Sequence, residues 1–311
     1  NRFIRLPLCG SLWVALEWCN DGKHCPLARS ASTGYLPNVR CPSLTILVGT
    51  LMIANCGDDA PALSVPPLPD PSCEGLFGAP NQNTGLGSDS CFARVEGAER
   101  WVPRSWDAAA LAELRSWTLD NPPEVLAEDP FLATPGLQPD EQSVCAVIVT
   151  GDRSYRLESF ESVDAARLAG GIVTHGVACG ACSSLEDLAV FVEIPDQTDP
   201  VRQCALEHLG DPIEEIDACI QDAVGFTGPC ARIWAYQAVN DGRECLSVCV
   251  AELDSPYNEP DGSLNPCLQC DEDNSGPVFK TVAGRTRRSS GVPAAICRPC
   301  ETVWRIDHAY Q

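Results

Sequence analysis

The sharpest chemical motif in the sequence is a pair of cysteines separated by two residues, Cys179-Gly-Ala-Cys182. The residues before the pair predict a strand, and the serines after it predict the start of a helix. A cysteine at a helix N-terminus is stabilised as a thiolate by unpaired backbone N–H groups and by the helix dipole. His175 lies four residues upstream, where it can add positive charge. The motif therefore predicts a thiol–disulfide oxidoreductase with Cys179 as nucleophile and Cys182 as resolving thiol.

Other features of the same region favour a structural role for these two cysteines. Glu186 and Asp187 fall in the first turn of the predicted helix, where negative charge opposes a thiolate. A thioredoxin-like fold needs further strands and a proline-led loop after the motif, whereas the sequence downstream predicts helices. We therefore expect Cys179 and Cys182 to be structural and keep catalysis as the alternative.

The C-terminal region carries two more pairs with the same spacing, Cys267/Cys270 and Cys297/Cys300. Four thiolates from two such turns can hold zinc tetrahedrally. In an oxidising compartment the same cysteines form disulfides instead. We expect disulfides here and keep a zinc site as the alternative.

A third candidate site lies in the sequence DEDNSG, which begins at Asp271. Asp271, Asp273 and Ser275 occupy the alternating ligand positions of a calcium loop. Position twelve of such a loop is a bidentate glutamate, and here it is Val282. Only the front half of the motif matches, so the segment predicts an acidic turn, with weak calcium binding as the alternative.

The sequence GRTRRSSG at 284–291 gathers three arginines between two glycines. Its composition predicts a solvated loop, and anion binding is the alternative. The common hydrolase, zinc-protease, phosphate-loop and dinucleotide motifs do not occur in the sequence.

The charge of the chain limits its partners. The 311 residues carry 43 acidic and 21 basic side chains, a net charge of −22. Because nucleic acids and anionic lipids are also polyanions, we expect neither as a partner. An unknown protein or small molecule remains as the ligand, and contact with a membrane is expected only through a lipid anchor.

Residues 39–56 have the pattern of an export signal. Arg40 precedes an apolar run from Leu44 to Ala54, which is too short for a membrane span of about 20 residues. The segment resembles a bacterial lipoprotein signal peptide, with Ile53-Ala54-Asn55-Cys56 at the lipobox positions. The resemblance implies lipidation at Cys56 and a location in the cell envelope, as a periplasmic or cell-surface lipoprotein.

With this signal, the chain divides into five segments. We expect residues 1–38 to lie upstream of the natural start, 39–55 to be the signal peptide, 56–72 a proline- and acid-rich tether, 73–142 a loop-rich part with one amphipathic helix, and 143–311 a cysteine-rich α+β domain. Fourteen cysteines follow Cys56, an even number as complete pairing requires.

The pattern within the last segment predicts an α+β, disulfide-rich fold. A β-hairpin and a third strand are expected between 143 and 178, followed by short helices from 185 to 252 and a loop-rich tail from 253. Cys245 and Cys249, four residues apart, share a helix face and should bond to different partners. The sequence thus predicts an exported, lipid-anchored, disulfide-stapled binding or structural module, with oxidoreductase and zinc-binding functions as alternatives.

Overall fold

The computed structural model describes residues 104–298 and 302–310. The predicted signal peptide, Cys56, the tether and Cys300 lie outside this range. The described residues all belong to one unit, Ala60–Gln311.

A four-stranded mixed sheet lies in the first half of the described chain. Its strands are β1 (Thr118–Leu119), β2 (Val144–Gly151), β3 (Ser154–Phe160) and β4 (Ile172–Gly176), in the spatial order β1-β3-β2-β4. β2 pairs antiparallel with β3 and with β4, and β1 pairs parallel with β3. The predicted hairpin and third strand are confirmed.

The sheet is covered on both faces where β2 begins, because its first four residues are all buried. Val144 and Ala146 pack with Ala166 in a small cluster on one face. Cys145 and Val147 belong to the main core on the other face. Side chains alternate between the faces of a strand, so this buried apolar run is what a strand between two layers requires.

Helices make up most of the remaining described chain. They are α1 (Ala108–Arg115), α2 (Pro130–Ala133), α3 (Val163–Leu168), α4 (Leu185–Glu193), α5 (Thr198–Glu207), α6 (Ile213–Val224), α7 (Gly228–Glu244), α8 (Leu246–Ala251), α9 (Pro266–Asn274), α10 (Gly276–Ala283) and α11 (Arg287–Ser290). Within the described residues, none of these helices is long and apolar enough to span a membrane. The α+β prediction is confirmed.

The prediction of a loop-rich tail after residue 253 is wrong, because α9, α10 and α11 lie there. Asn265 caps α9 by accepting a hydrogen bond from the backbone N–H of Leu268 (2.9 Å), and Pro266 follows at the first helical position. These start signals are local, but α9 has little apolar periodicity from which a helix is ordinarily recognised.

The main core joins the sheet to the helical half. An aromatic row runs through it, in which Phe226 contacts Phe191 at 5.2 Å and Trp234 at 5.8 Å between ring centroids. Trp234 in turn meets Phe279 edge to face at 4.9 Å. Since these rings come from α4, α7, α10 and the α6–α7 turn, the row connects elements far apart in sequence.

Disulfides also connect the helices and strands, in addition to the packing of the core. The five bonds are Cys145–Cys179, Cys182–Cys230, Cys204–Cys219, Cys245–Cys270 and Cys249–Cys267. Cys297 is disulfide-bonded as well. The expectation that Cys245 and Cys249 bond to different partners is confirmed.

Candidate functional site

The Cys-Gly-Ala-Cys motif lies in the loop between β4 and α4, here called the CGAC loop (residues 177–184). The backbone N–H groups of Ala181 and Cys182 each donate at 2.9 Å to the carbonyls of Val282 and Ala283, respectively. These carbonyls belong to the last turn of α10, where helix carbonyls have no partner within the helix. The loop and the end of α10 therefore satisfy each other's backbone groups.

The same contact explains why positions 180 and 284 are occupied by glycine. A Cβ atom on Gly180 would lie 2.3 Å from the carbonyl oxygen of Val282, inside van der Waals contact. Gly284 has a φ of +73°, and a Cβ there would lie 2.6 Å from the backbone nitrogen of Gly180. The two backbones can approach this closely only because neither residue has a side chain.

The two cysteines of the motif are bonded to other cysteines rather than to each other. Cys179 bonds to Cys145 on β2, and Cys182 bonds to Cys230 in the first turn of α7. A catalytic Cys-x-x-Cys pair forms a bond within the motif when oxidised. The observed pairing instead fixes the loop between the sheet and α7, as expected for the structural role.

The N-terminus of α4 does not stabilise a thiolate in this arrangement. The backbone N–H of Leu185 donates to the hydroxyl of Tyr155 (2.8 Å), and that of Asp187 donates to Oγ of Ser184 (2.9 Å). Ser184 is thus the N-cap of the helix. Because these donors already have partners, they are not directed at either cysteine.

His175 does not supply the expected positive charge. Its side chain is completely buried, and burial together with nearby Arg285 lowers the pKa of His175 well below its usual value. In the neutral ring, Nδ1–H donates to the carbonyl of Gly176 (2.7 Å) and Nε2 accepts from the hydroxyl of Ser183 (2.8 Å). Ser183 also accepts from the backbone N–H of Gly180 (2.7 Å). His175 and Ser183 resemble a base and a nucleophile in spacing, but both are fully buried and hold the loop in place.

Arg285 is the centre of this region and is also fully buried. Its Nε donates to the carbonyl of Cys182 (3.1 Å) and one Nη2–H to the carbonyl of Ser183 (3.0 Å). The other three N–H groups bind the carbonyl (3.2 Å) and hydroxyl (2.7 Å) of Thr174 and the hydroxyl of Ser290 (3.0 Å). All five guanidinium donors are therefore satisfied, and every acceptor is an uncharged oxygen.

The prediction of a solvated arginine loop is wrong. Arg285 holds β4, the CGAC loop and α11 together, and Arg287 donates to the carbonyls of Phe191 and Ile194 at the end of α4. Arg288 pairs with Glu272 on α9 at 2.6 Å. Together the three arginines bind β4, the CGAC loop, α11, α4 and α9, so the segment is a structural junction. Sequence composition missed it because most of the acceptors are backbone carbonyls, which carry no signal in the sequence.

A buried carboxyl group lies next to the CGAC loop at the junction of α4 and α7. Oδ1 of Asp187 accepts from the backbone N–H of Thr227 (2.9 Å), and Oδ2 accepts from the hydroxyls of Ser184 (2.6 Å) and Thr227 (2.9 Å). Burial raises the pKa of the Asp187 carboxyl to about 6, although the hydrogen bonds act in the opposite direction.

The three tail cysteines that the structure describes do not offer thiolates for a zinc site. Cys267 is bonded to Cys249 and Cys270 to Cys245, while Cys297 is also disulfide-bonded. Zinc binding requires free thiolates. The structure thus has the disulfide arrangement that was preferred over zinc.

The segment expected to be an acidic turn, with calcium binding as the alternative, is helical, because Asp271 and Asp273 lie on α9. Residues two apart on a helix differ by about 200° around its axis, so their carboxylates cannot converge on one ion. Asp273 accepts from Gln269 (2.8 Å), whereas Asp271 accepts from Gln237 (2.7 Å).

Asp271 instead shares a hydrogen bond with Asp241 of α7. Asp241 also accepts a hydrogen bond from the hydroxyl of Ser275. Burial raises the pKa of both carboxyls, and the neighbouring charge of Asp271 raises that of Asp241 further. Two carboxyls this close cannot both ionise readily, so Asp241 retains the shared proton.

One further group of possible ligands stands out among the described residues. Side-chain atoms of Glu207, His208 and Cys219 lie within 4.8 Å of one another. Cys219 is bonded to Cys204, so its sulfur is not a thiolate. Only two ligands remain, fewer than the three or four of protein zinc sites.

A shallow depression of about 210 Å³ lies beside the CGAC loop. Cys179 and Gly180 line it, together with Asn121 and Glu124 from the segment before α2. The amide of Asn121 is engaged with both backbone groups of Leu157 at 2.9 Å. Because the sulfur of Cys179 is bonded to Cys145, it offers no free thiol to the depression.

Comparison with known proteins gives one match. Residues 213–306 match the model of a Family of unknown function (DUF8771). No curated protein and no solved structure matches the chain.

The matched segment runs from the start of α6 to the tail. It includes Arg285 and α8, together with Cys245 and Cys249, which form disulfides with α9. The CGAC loop lies outside it. The multiple disulfides indicate an oxidising, exported environment, which agrees with the sequence prediction of export.

We expect Arg285→Lys to lower the free energy of unfolding by about 3 kcal/mol. Lysine has three donors instead of five and lacks the planar fork, so at least two buried oxygens lose their partner. Urea denaturation measures the change. The control is Arg243→Lys, at a pair with Asp129 in which the Arg243 side chain is 34% exposed, where we expect a loss below about 1 kcal/mol. Equal losses in the two variants would contradict the role assigned to Arg285.

We expect Asp187→Asn to change the pH dependence of stability. Because the folded-state pKa of Asp187 is raised, protonation of this carboxyl stabilises the folded state. This contribution to stability is complete below about pH 4 and is lost as the pH rises through about 6. Asparagine mimics the protonated form and does not titrate. Relative to the wild type, the variant should therefore gain about 3 kcal/mol between pH 4 and pH 7. Urea denaturation across this range measures the gain, and a difference that is constant with pH would contradict the assignment.

Proposed function

We propose that this protein is an exported, lipid-anchored module that binds a protein or small-molecule ligand through a rigid, disulfide-stapled body. The observation that carries the proposal is the state of the cysteines. All eleven cysteines in the described part of the chain are disulfide-bonded. Complete oxidation is typical of proteins that work outside the reducing cytosol, and it leaves these cysteines unavailable for metal binding or thiol chemistry.

The sequence supplies the support for anchoring. The segment ending at Cys56 resembles a lipoprotein signal peptide, and the proline- and acid-rich residues 57–72 suit an extended tether between the membrane and a folded body. The strongly acidic chain would be repelled by an anionic lipid surface, so the anchor is its expected membrane contact.

Three observations favour a non-catalytic body over an oxidoreductase. Cys179 and Cys182 are bonded to separate partners, the backbone N–H groups of Leu185 and Asp187 at the start of α4 are engaged, and His175 is buried and neutral. An oxidoreductase cycle would have to exchange both bonds before a Cys179–Cys182 bond could form.

The test of export is to express the chain from Val39 in a bacterial host. We expect it in the membrane fraction, cleaved before Cys56 and acylated there, because the apolar run and the lipobox together specify this processing. Mass spectrometry of the N-terminal peptide measures the modification. The matched Cys56→Ser variant should lack acylation, and recovery of an uncleaved wild-type chain from the cytosol would contradict the proposal.

A second experiment separates the module from the enzyme. We expect Cys179→Ser to lower the free energy of unfolding by about 4 kcal/mol, because it opens a disulfide that spans 34 residues. The oxidised protein should not reduce insulin in the presence of a thiol donor. The control is Cys249→Ser, which opens a disulfide away from the motif. Insulin turnover that disappears in a folded Cys179→Ser variant but persists in Cys249→Ser would favour the oxidoreductase.

A further inference from the structure

Helix α8 is held in an unusual way. None of its six residues, Leu246–Ala251, is buried. Isolated helices this short are unstable in water, and packing of a buried face ordinarily supplies the stability they lack. Here two disulfides at its start and middle, Cys245–Cys270 and Cys249–Cys267, fix it to α9 instead. Two of the described disulfides therefore hold a helix that contributes no buried side chain to the fold.

The side chains that α8 presents to solvent are apolar. Leu246, Val250 and Leu253 are 55%, 57% and 52% exposed. Their spacings of four and three residues place them on one face of the helix and the turn that follows it. We name these three residues the α8 apolar face. Single exposed apolar residues are ordinary on a protein surface, but adjacent ones on one element mark an interaction site.

The residues next to the α8 apolar face in sequence are acidic. Glu244 precedes it, and Glu252 and Asp254 lie beside Leu253 in sequence. Glu244 and Asp254 are exposed, and Glu252 is partly exposed. The nearest arginine in sequence, Arg243, is directed toward Asp129 and Asn240. The segment that carries the apolar stripe therefore has exposed or partly exposed acids before and after it in sequence and is part of a strongly acidic chain.

We infer that the α8 apolar face is the docking surface for a cationic amphipathic segment of a partner protein. Such a segment matches both properties of the surface, with apolar side chains against Leu246, Val250 and Leu253 and lysines or arginines toward the flanking acids. This inference rests on the proposed function as a binding module and names the chemistry of its partner.

Charge also argues against other occupants. A second copy of this chain would bring another net charge of −22 to the same acidic surface. Repulsion at short range between like charges disfavours that arrangement, and it disfavours an anionic lipid headgroup for the same reason. A cationic segment is the occupant that gains from the charge rather than opposing it.

The disulfides explain why the surface is suited to binding. Ordering a flexible helix during association costs conformational entropy, which lowers the affinity. The bonds to α9 order α8 before the partner arrives. Opening one of them should therefore weaken binding without removing any of the three apolar side chains.

The experiment uses the full chain with its disulfides intact and two synthetic peptides as probes. The first is an amphipathic helix of leucine and lysine, about 14 residues long; the second has the same composition in an order without an apolar face. Fluorescence anisotropy measures the affinity of each. We expect the first peptide to bind about tenfold more tightly than the second.

The decisive variant is the double substitution Leu246→Ser and Val250→Ser, which we expect to lower the affinity for the first peptide about tenfold. The matched control is Leu168→Ser with Leu209→Ser, because these leucines are 90% and 80% exposed on other elements. This control should change the affinity less than about twofold. All four substitutions are at exposed positions, and unchanged melting temperatures verify that the variants are folded.

Two further variants test the charge and the disulfides. Glu244→Gln with Glu252→Gln should weaken binding about threefold and reduce its dependence on salt. Cys249→Ala with Cys267→Ala should weaken binding while the apolar side chains remain. Loss of binding in the charge variant alone, with no effect of the serine variant, would indicate non-specific attraction and overturn the inference.

Three other outcomes would also overturn the inference. The two peptides could bind equally, the serine variant could bind as the wild type does, or the wild type could sediment as a dimer that the serine variant abolishes. The last result would make a second copy the occupant. A chain that is exported and acylated but fails these tests retains the proposed function and loses only this surface. A chain that stays in the cytosol contradicts the proposed function itself.

Discussion

The fold depends most on one buried cation, the guanidinium of Arg285. Removing a charge from water costs several kcal/mol, and no carboxylate accepts a hydrogen bond from this group to offset that cost. Its compensation comes from five hydrogen bonds to uncharged oxygens on β4, the CGAC loop and α11, together with electrostatic attraction to the Asp187 carboxylate. Each of these elements must therefore be in place for the cation to be satisfied, and each is held in place by it. Such an arrangement favours a single geometry for the whole junction, because partial formation leaves a buried charge without partners.

Two disulfides restrain the same junction. Cys145–Cys179 and Cys182–Cys230 fix the CGAC loop to β2 and α7, while Arg285 and the carbonyls of α10 bind the backbone of residues 181–183. The loop is thus restrained at almost every residue. This restraint is the physical reason that a motif with the spacing of a redox site behaves as a structural one. Both cysteines of the motif are bonded to cysteines outside it, and the one nearby cation among these groups, Arg285, is directed at backbone carbonyls and hydroxyls rather than at a sulfur.

The helical half is organised differently in its two parts. Near the sheet, α4, α6 and α7 bury large apolar side chains and an aromatic row, so packing stabilises them. Farther along the chain, none of the residues of α8 is buried, and disulfides fix this helix to α9. Packing hides apolar surface, whereas a covalent clamp can leave it exposed. The difference explains how one small domain can combine a stable core with an ordered apolar face at its surface.

The class of the fold could be predicted from local sequence patterns. Alternation in residues 143–160 predicted the hairpin, the serines after Cys182 predicted a helix start, and the four-residue spacing of Cys245 and Cys249 predicted separate partners. These features are local, since a strand, a cap and a helix face each depend on residues close together in the chain. The pairing of the cysteines, the structural role of the three arginines and the contact between Asp271 and Asp241 became evident only in three dimensions. Most of these outcomes depend on groups distant in sequence, and for the arginines most of the partners are backbone carbonyls, which every residue carries and no sequence pattern reveals.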